Sequence, residues 1–267
     1  MERRKLSAFI PVQNVGDIIE ECLDSIAWVD EIFIVDAFST DKTVEICRRY
    51  SNVKLVQHEY INSGEQRAWG MPQVTHDWVF IIDSDERCSP GLRNAIEKIL
   101  TQEQIKYDGF LVKIRTKFMG KLLKHPTYLG GGGKRLVKKE LNKNYIIKRV
   151  HSKMKIDNKT WIKNKDAYLI HEPIRDFEAQ WKKLIRYSVW YAEDMFDKNE
   201  RTGIFQFTIR PFIKFFQYFI IRGGFRDGLH GFVLCVVASI SIFMKYYKLW
   251  MMNQQAKLAN TSSKNKK

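Results

Sequence analysis

The four cysteines, Cys22, Cys47, Cys88 and Cys235, are scattered and have neither metal-like nor redox-like spacing. Cys22, Cys47 and Cys235 sit among apolar neighbours and read as small hydrophobes. Apolar runs long enough for a signal peptide or a spanning helix are missing too. Behind the charged start Met-Glu-Arg-Arg-Lys, the apolar run stops at Val12 and includes Pro11. That is too short for a signal peptide's apolar region followed by a cleavage site, so a cytoplasmic, reducing setting is expected. Near the C-terminus, Phe232–Met244 is thirteen residues without a charge, against the roughly 20 that a spanning helix needs. Acidic charge is scarce beyond residue 100, where 34 Lys/Arg face 13 Asp/Glu.

The chain has 267 residues, 45% of them hydrophobic, enough for one large domain or one domain plus an appendage. Its net charge of +15 is divided unevenly, since residues 1–100 carry 11 Lys/Arg and 17 Asp/Glu. An acidic part joined to a basic part suggests two tasks, the basic one directed at an anionic partner.

The first hundred residues alternate apolar runs with helical patterns. Strands are expected at Leu6–Val12, at Glu31–Val35 closing on Asp36, at Val53–Gln57 and at 77–82. Between them, Ile18, Ile19, Cys22, Leu23 and Ile26 share one helical face. A helix is expected from Asp41 with Thr40 as its N-cap, and another from about Glu65. Ser89-Pro90 has the chemistry of a helix start, with Leu92, Ile96, Ile99 and Leu100 as the apolar face. Such repetition implies an α/β fold with a mainly parallel sheet, whose ligands bind beyond the carboxyl ends of the strands. Asn14, Asp36, Asp83 and Asp85 collect at that edge. Farther on, Phe110–Ile114, Arg135–Val137 and Tyr168–Ile170 read as strands of a mixed extension. Gly130–Gly133 reads as a flexible loop or a close backbone approach.

Asp83-Ser84-Asp85-Glu86 follows an apolar strand. Carboxylates two apart in that position can ligate magnesium or manganese, which keep positions open for substrate phosphates. A cation there would neutralise the charge that develops on a departing pyrophosphate. Ile10-Pro11-Val12-Gln13-Asn14, Cys22-Leu23-Asp24-Ser25-Ile26, Asp30–Asp36, Ser39–Thr43 and Asp83–Glu86 together resemble family 2 glycosyltransferases of the GT-A fold. Gln66-Arg67-Ala68, Lys134–Val137, Val150-His151, Ile185–Ser188 and Phe225-Arg226-Asp227-Gly228 extend the resemblance to the branch of lipopolysaccharide core glucosyltransferases.

The resemblance implies inverting transfer from a nucleotide sugar, usually a uridine diphosphate sugar, with a divalent magnesium or manganese ion. It assigns donor binding to Pro11, Asn14, Asp36, Arg67, Asp83, Ser84 and Arg135, and the metal to Asp85 and His171. Three departures stand out. Gln13-Asn14-Val15 replaces the family's Tyr-Asn-Glu, and Tyr128 with the glycine run replaces its Tyr-x-Asp-x-Gln-x-Arg approach. Val150-His151-Ser152 replaces Val-His-Glu and removes a carboxylate expected as general base, which leaves His151, Glu172 and Asp157 for that role.

The division expected is a catalytic domain over 1–175, with a nucleotide-sugar half at 1–100 and an acceptor half at 101–175. A basic helical region follows over 176–267. In Gly203–Ile221 the polar residues Gln206, Arg210, Lys214 and Gln217 recur every three or four positions among six phenylalanines. That pattern suits a helix lying in an anionic headgroup layer at the cytoplasmic face of the membrane, with a membrane-associated glycan or glycolipid as acceptor. A helical cap on the catalytic domain, a spanning segment stretched by Lys245 and Lys248, and a nucleic-acid-binding surface are the competing readings of this region. A polyprenyl-phosphate sugar synthase and a nucleotide-sugar-binding protein without turnover compete for the function. The apolar runs flanked by the basic residues are too long for a nucleic-acid face, so no nucleic-acid partner is expected.

Overall fold

The computed structural model describes residues 2–125, 131–146, 153–174 and 176–264, and the chain forms two compact units. The first comprises 1–117 and 130–173, the second 118–129 and 174–267.

The first unit opens with β1 (Leu6–Val12), α1 (Ile19–Ile26), β2 (Glu31–Asp36), α2 (Thr43–Cys47), β3 (Val53–Gln57) and α3 (Ser63–Gly70). β4 (Trp78–Ile81), β5 (Glu86–Cys88), α4 (Pro90–Leu100) and β6 (Gly109–Phe118) follow. β7 (Lys121–Leu122) falls in the second unit. The first resumes with β8 (Gly131–Lys138), β9 (Tyr145–Ile146), β10 (Lys153–Met154), β11 (Lys159–Trp161) and β12 (Tyr168–His171). The main sheet runs β3-β2-β1-β4-β8-β6-β12-β5. β3, β2, β1 and β4 are parallel, and β8 runs antiparallel to both β4 and β6. The expected α/β fold is therefore present, a mixed and mainly parallel sheet flanked by helices.

Apolar runs without alternation make β1, β2 and β4 buried on both faces. Ile19, Cys22, Leu23 and Ile26 of α1 and Leu92, Ile96, Ile99 and Leu100 of α4 cover one side. Phe9, Phe33, Val35, Met71, Val79 and Ile81 form the core of the other. α4 starts as its chemistry dictates, with Pro90 in the first turn and the Ser89 hydroxyl accepting the Leu92 N–H at 3.2 Å. α3 is capped by Asn62, whose side chain accepts from Gly64 and Glu65.

Two expectations are corrected. Thr40 is not an N-cap: α2 begins at Thr43, and the Asp41 carboxylate takes the Thr43 N–H at 3.0 Å while Thr40 bonds Asn14. Asp41 also holds the Gly16 N–H, so one short acidic side chain ties two loops, while the N-cap position of α2 falls to Lys42, which makes no side-chain cap bond. Nor are Gly131–Gly133 a loop. They begin β8, opposite Ile114, Lys113 and Val112. Pairing on β6 fixes the backbone, and glycine is needed because a Cβ at Gly132 would lie 2.5 Å from the Trp161 ring.

At the amino-terminal end of β2, Glu31 is buried and accepts from Ser7 Oγ at 2.5 Å and from Thr75 N and Oγ1 at 2.7 and 2.6 Å. Burial opposes its charge, and the Ser7 and Thr75 hydrogen bonds prevail, holding the carboxyl below its ordinary value. A depressed folded pKa contributes stability above the unfolded glutamate value of about 4.3, and that contribution is lost as pH falls through the folded value. Glu31→Gln is accordingly expected to destabilise the protein at neutral pH and to narrow its deficit towards acid. Urea melts of both forms across the acid range check this, and a deficit independent of pH would contradict it.

In the second unit, α5 (Phe177–Asp197) and α6 (Ile204–Phe216) pack on the long α7 (Leu229–Lys264). α6 runs on into a π-turn at Gln217–Ile221. Phe207 sits against Phe243, Tyr247 and Trp250, and Phe215 and Phe219 sit against Phe232. Asp227, buried just before α7, accepts the backbone N–H groups of Lys124 and His125, both at 3.0 Å.

Candidate active site

β1, β2 and β4 are parallel, so their carboxyl ends open on one edge of the sheet, and the polar residues of the sequence gather there. Two left-handed residues turn the chain at that edge, Asn14 at φ 49° and Phe38 at φ 54°. Asn14 Oδ1 accepts the Thr40 N–H and its own N–H donates to Ser39 Oγ, both at 2.8 Å, which laces the loop after β1 to the loop after β2. Asp36 lies beneath this lacing, fully buried, accepting from Ser39 N at 3.1 Å and from Gln57 Nε2 at 3.0 Å. Pro11 is half-buried in β1.

The acidic turn after β4 is the centre of the site. Asp83 Oδ1 accepts from Arg67 at 2.5 Å, and its Oδ2 accepts from Arg135 at 3.3 Å. Arg135 reaches Glu86 Oε1 at 2.5 Å, while Glu86 Oε2 takes the Asp83 N–H at 2.9 Å. One carboxylate thus sits between two guanidiniums, and a second, buried carboxylate fastens both the turn and Arg135. Burial opposes the charge on Asp83, but Arg67 and Arg135 hold its carboxyl well below the usual carboxylate range. For Glu86 burial wins: it pushes the carboxyl up, Asp83 and Asp85 add to the push, and Arg135 pulls the other way. Of the two, Glu86 is the group that takes a proton first. Arg67, for its part, is held protonated by Asp83 and Tyr145 against burial. Its Nε is buried with no hydrogen-bond partner among the described residues. Ser84 is half-buried, and its carbonyl accepts from Arg87 at 2.9 Å.

Asp85 Oδ2 and His171 Nε2 meet at 3.4 Å, although 86 residues separate them in the chain. Burial lowers the His171 pKa, and the Asp85 hydrogen bond and the neighbouring carboxylates outweigh it, so the net shift is upward. Among the described residues no group of three or more His, Cys, Asp and Glu could hold a metal. A carboxylate and an imidazole side by side fit a cation that keeps most of its coordination for phosphate and water, and do not form a protein cage.

Glu172 follows His171. Its N–H donates to the Asp85 carbonyl at 2.9 Å and its carboxylate meets Lys117 at 3.3 Å. Asp157 is exposed and pairs with Lys155 at 3.9 Å. His151 lies outside the described residues, as does Tyr128.

Glu86, Gln57 and Tyr145 are site-bracing residues that the sequence reading did not assign. For Glu86 a signal existed: in Glu86-Arg87-Cys88 a strand's alternation puts the first and third residues on one face, and both are buried. Gln57 and Tyr145 carry no such signal: Gln57 meets Asp36 through the pairing of β3 with β2, and Tyr145 comes to Arg67 from β9, outside the main sheet.

Residues 7–160 match the model for glycosyl transferase family 2. An uncharacterized glycosyltransferase of Rickettsia bellii is 28% identical over 97% of this chain and 90% of its own length. The lipopolysaccharide core biosynthesis glycosyltransferase LpsC of Rhizobium meliloti is 23% identical, over 92% of each chain. Among solved structures, S. aureus TarS 1-349 in complex with UDP-GlcNAc superimposes with a TM-score of 0.50 at 15% identity. That alignment covers 94% of this chain and 92% of the TarS chain, a likeness of fold.

Proposed function

Because the chain belongs to glycosyl transferase family 2, we propose that it transfers a sugar with inversion from a nucleotide sugar, UDP-linked, to a membrane-associated glycan of cell-surface polysaccharide or lipopolysaccharide. The observation that carries this reading is the convergence of Asp83, Arg67, Arg135, Asp85 and His171 at the carboxyl edge of the sheet. We assign 1–100 to the donor and 101–175 to the acceptor.

In this reading Asp36 and the laced loop of Asn14 shape the nucleoside end, with Pro11 as part of its wall. Asp83 and Ser84 contact the ribose or donor sugar. Arg67 and Arg135 supply fixed positive charge beside the diphosphate, and the unpartnered Arg67 Nε suits a phosphate oxygen. Asp85 and His171 would hold magnesium or manganese, which when bound offsets the charge on the leaving pyrophosphate. Lys117 orients the Glu172 carboxylate, and Glu172 and His151 are the groups assigned to proton removal from the attacking hydroxyl.

A thermal-shift series with UDP-sugars, with and without manganese, tests the donor site. A ligand at a hundred times its Kd adds about 2.7 kcal/mol to stability. The stabilisation is expected to require manganese in the natural protein, and the manganese-dependent part is expected to be lost in Asp85→Asn. Equal manganese dependence in both forms would remove Asp85 from the metal site.

The second unit supports the membrane part of the proposal. Its α7 includes one helix segment, Leu229–Leu258, long and apolar enough to cross a membrane, with mean hydropathy 1.7. Its contacts favour a different use. Tyr246 and Leu249 are buried, Arg210 of α6 hydrogen-bonds the Tyr246 hydroxyl, and Asn253 reaches the Glu200 carbonyl at 3.4 Å. α7 is the helix on which α5 and α6 lie, and α6 with its π-turn exposes Phe205, Ile209, Phe212, Ile213, Phe216 and Ile220. From residue 201 to the end there are eleven Lys/Arg and one acidic residue, the buried Asp227. We assign α6 to lie in the headgroup plane of an anionic bilayer, as a monotopic attachment at the cytoplasmic face.

A further inference from the structure

We propose that the open face of β6 and its neighbours is an acceptor subsite for an anionic sugar, one bearing phosphate or carboxylate. The inference rests on the glycosyltransferase reading and adds the chemical class of the acceptor.

β6 is asymmetric. Phe110, Val112, Thr116 and Phe118 are buried on one side, whereas Leu111, Lys113, Arg115 and Lys117 face the other and are half-buried or exposed. Three cations at alternate positions lie about 7 Å apart along the strand, a spacing within the span of one or two sugar rings. The strand neighbours complete the face. Pairing sets Tyr168 and Gly132 beside Lys113, and Trp161 beside Leu111. The guanidinium of Arg115 stacks over the Tyr168 ring at 4.1 Å, and one of its nitrogens donates to the Lys165 carbonyl at 3.3 Å. Trp161 is 44% exposed and lies against Gly132, where a Cβ would also come within 2.7 Å of the Val112 carbonyl. The glycine run thereby gives a floor without side chains under an exposed indole, with cations along one border.

Charge identifies the occupant. Residues 104–165 contain 18 Lys/Arg and three acidic residues. Of those three, Asp108 is taken by Lys138 at 2.6 Å and Asp157 pairs with Lys155. A neutral glycan offers these cations only uncharged acceptors, whereas a phosphate or carboxylate receives charge-assisted hydrogen bonds from them. The ring suits a sugar's C–H face, since indole is large and apolar with one polar edge. A nucleic-acid track uses successive aromatic platforms, and here one indole is exposed. The face also leads to the reacting end: Lys117 meets Glu172, whose N–H is bonded to the Asp85 carbonyl.

The test uses the full-length protein labelled with 5-fluorotryptophan, with the Trp161 signal assigned from Trp161→Phe. Glucose 6-phosphate should shift that signal with millimolar affinity, and glucose alone or inorganic phosphate alone should shift it less. The double substitution Lys113→Gln/Arg115→Gln should weaken the sugar phosphate by about fivefold or more, as two exposed charge contacts warrant. Manganese-dependent stabilisation by a UDP-sugar should persist in that variant. This separates failure here from failure of the donor-site reading, which would remove the stabilisation from the natural protein as well. No Trp161 response, an equal response to glucose, or full affinity in the double variant would overturn the proposal. So would a Trp161 response to phosphatidylglycerol vesicles or to an oligothymidylate in place of the sugar phosphate.

Discussion

Arg135→Met should destabilise the protein by about 3–5 kcal/mol, the usual result of taking one partner out of a buried ion pair. The Arg135 side chain is 10% exposed and that of Glu86 is 1% exposed, so water cannot replace the lost contact. With the guanidinium gone, the Glu86 carboxylate keeps only the Asp83 N–H as a hydrogen-bond partner among the described residues, and the push of burial on it is no longer opposed by that charge. It should then take a proton, and that protonation caps the penalty. The loss should therefore grow with pH, because above the raised folded pKa the variant must bury an unpaired charge or pay to protonate it. Arg135→Met/Glu86→Leu removes the whole pair and should recover most of the stability, as apolar replacement of buried pairs often does. Melting curves of the single and double variants at two pH values decide the point. A single variant as stable as the natural protein would show that the Arg135–Glu86 contact does not brace the turn. Donor binding should stay weak in both variants, since Arg135 also faces Asp83.

Replacing Phe212 and Phe216 of α6 by glutamate should lower partitioning onto anionic vesicles by at least about a hundredfold. Burying one large apolar side chain is worth about 1.5–3 kcal/mol, and each substitution also brings negative charge to a negative surface. Phe212 is 65% and Phe216 58% exposed, so neither supports the helical core and the fold should survive. Phe207, whose ring lies against Phe243, Tyr247 and Trp250, is the contrasting position: its substitution should lower stability and only secondarily affect binding. Salt should weaken attachment of the natural protein without abolishing it, because apolar area and charge act together. Co-sedimentation with phosphatidylglycerol and phosphatidylcholine vesicles across a salt series measures both effects. Undiminished binding of the double glutamate variant would assign attachment to another surface, and resistance to alkaline carbonate would restore α7 as a spanning helix.

Much of the first unit was legible because its strands are continuous apolar runs and its helices carry one apolar face, patterns that local chemistry alone sets. Asp36, Asp83 and Asp85 could be placed at the sheet edge for the same reason: each follows a strand of the parallel set, and parallel strands end together. Composition also dictated the unequal charge of the two parts and the apolar face of α6.

Tertiary structure decided the rest, wherever the partner is remote in sequence. Asp85 and His171 meet because β12 pairs with β5 and places His171 opposite Glu86. Arg135 becomes a brace for Asp83 and Glu86 only because β8 inserts antiparallel between β4 and β6. The glycine run has no helical or alternating signature and reads as a loop, and pairing with β6 makes it a strand. Thr40 lies outside the cap of α2 because its N–H is held by Asn14 from the loop after β1 and the helix starts only at Thr43. In each case the sequence supplies a group able to make several bonds, and the sheet order selects one of them by bringing its partner within reach.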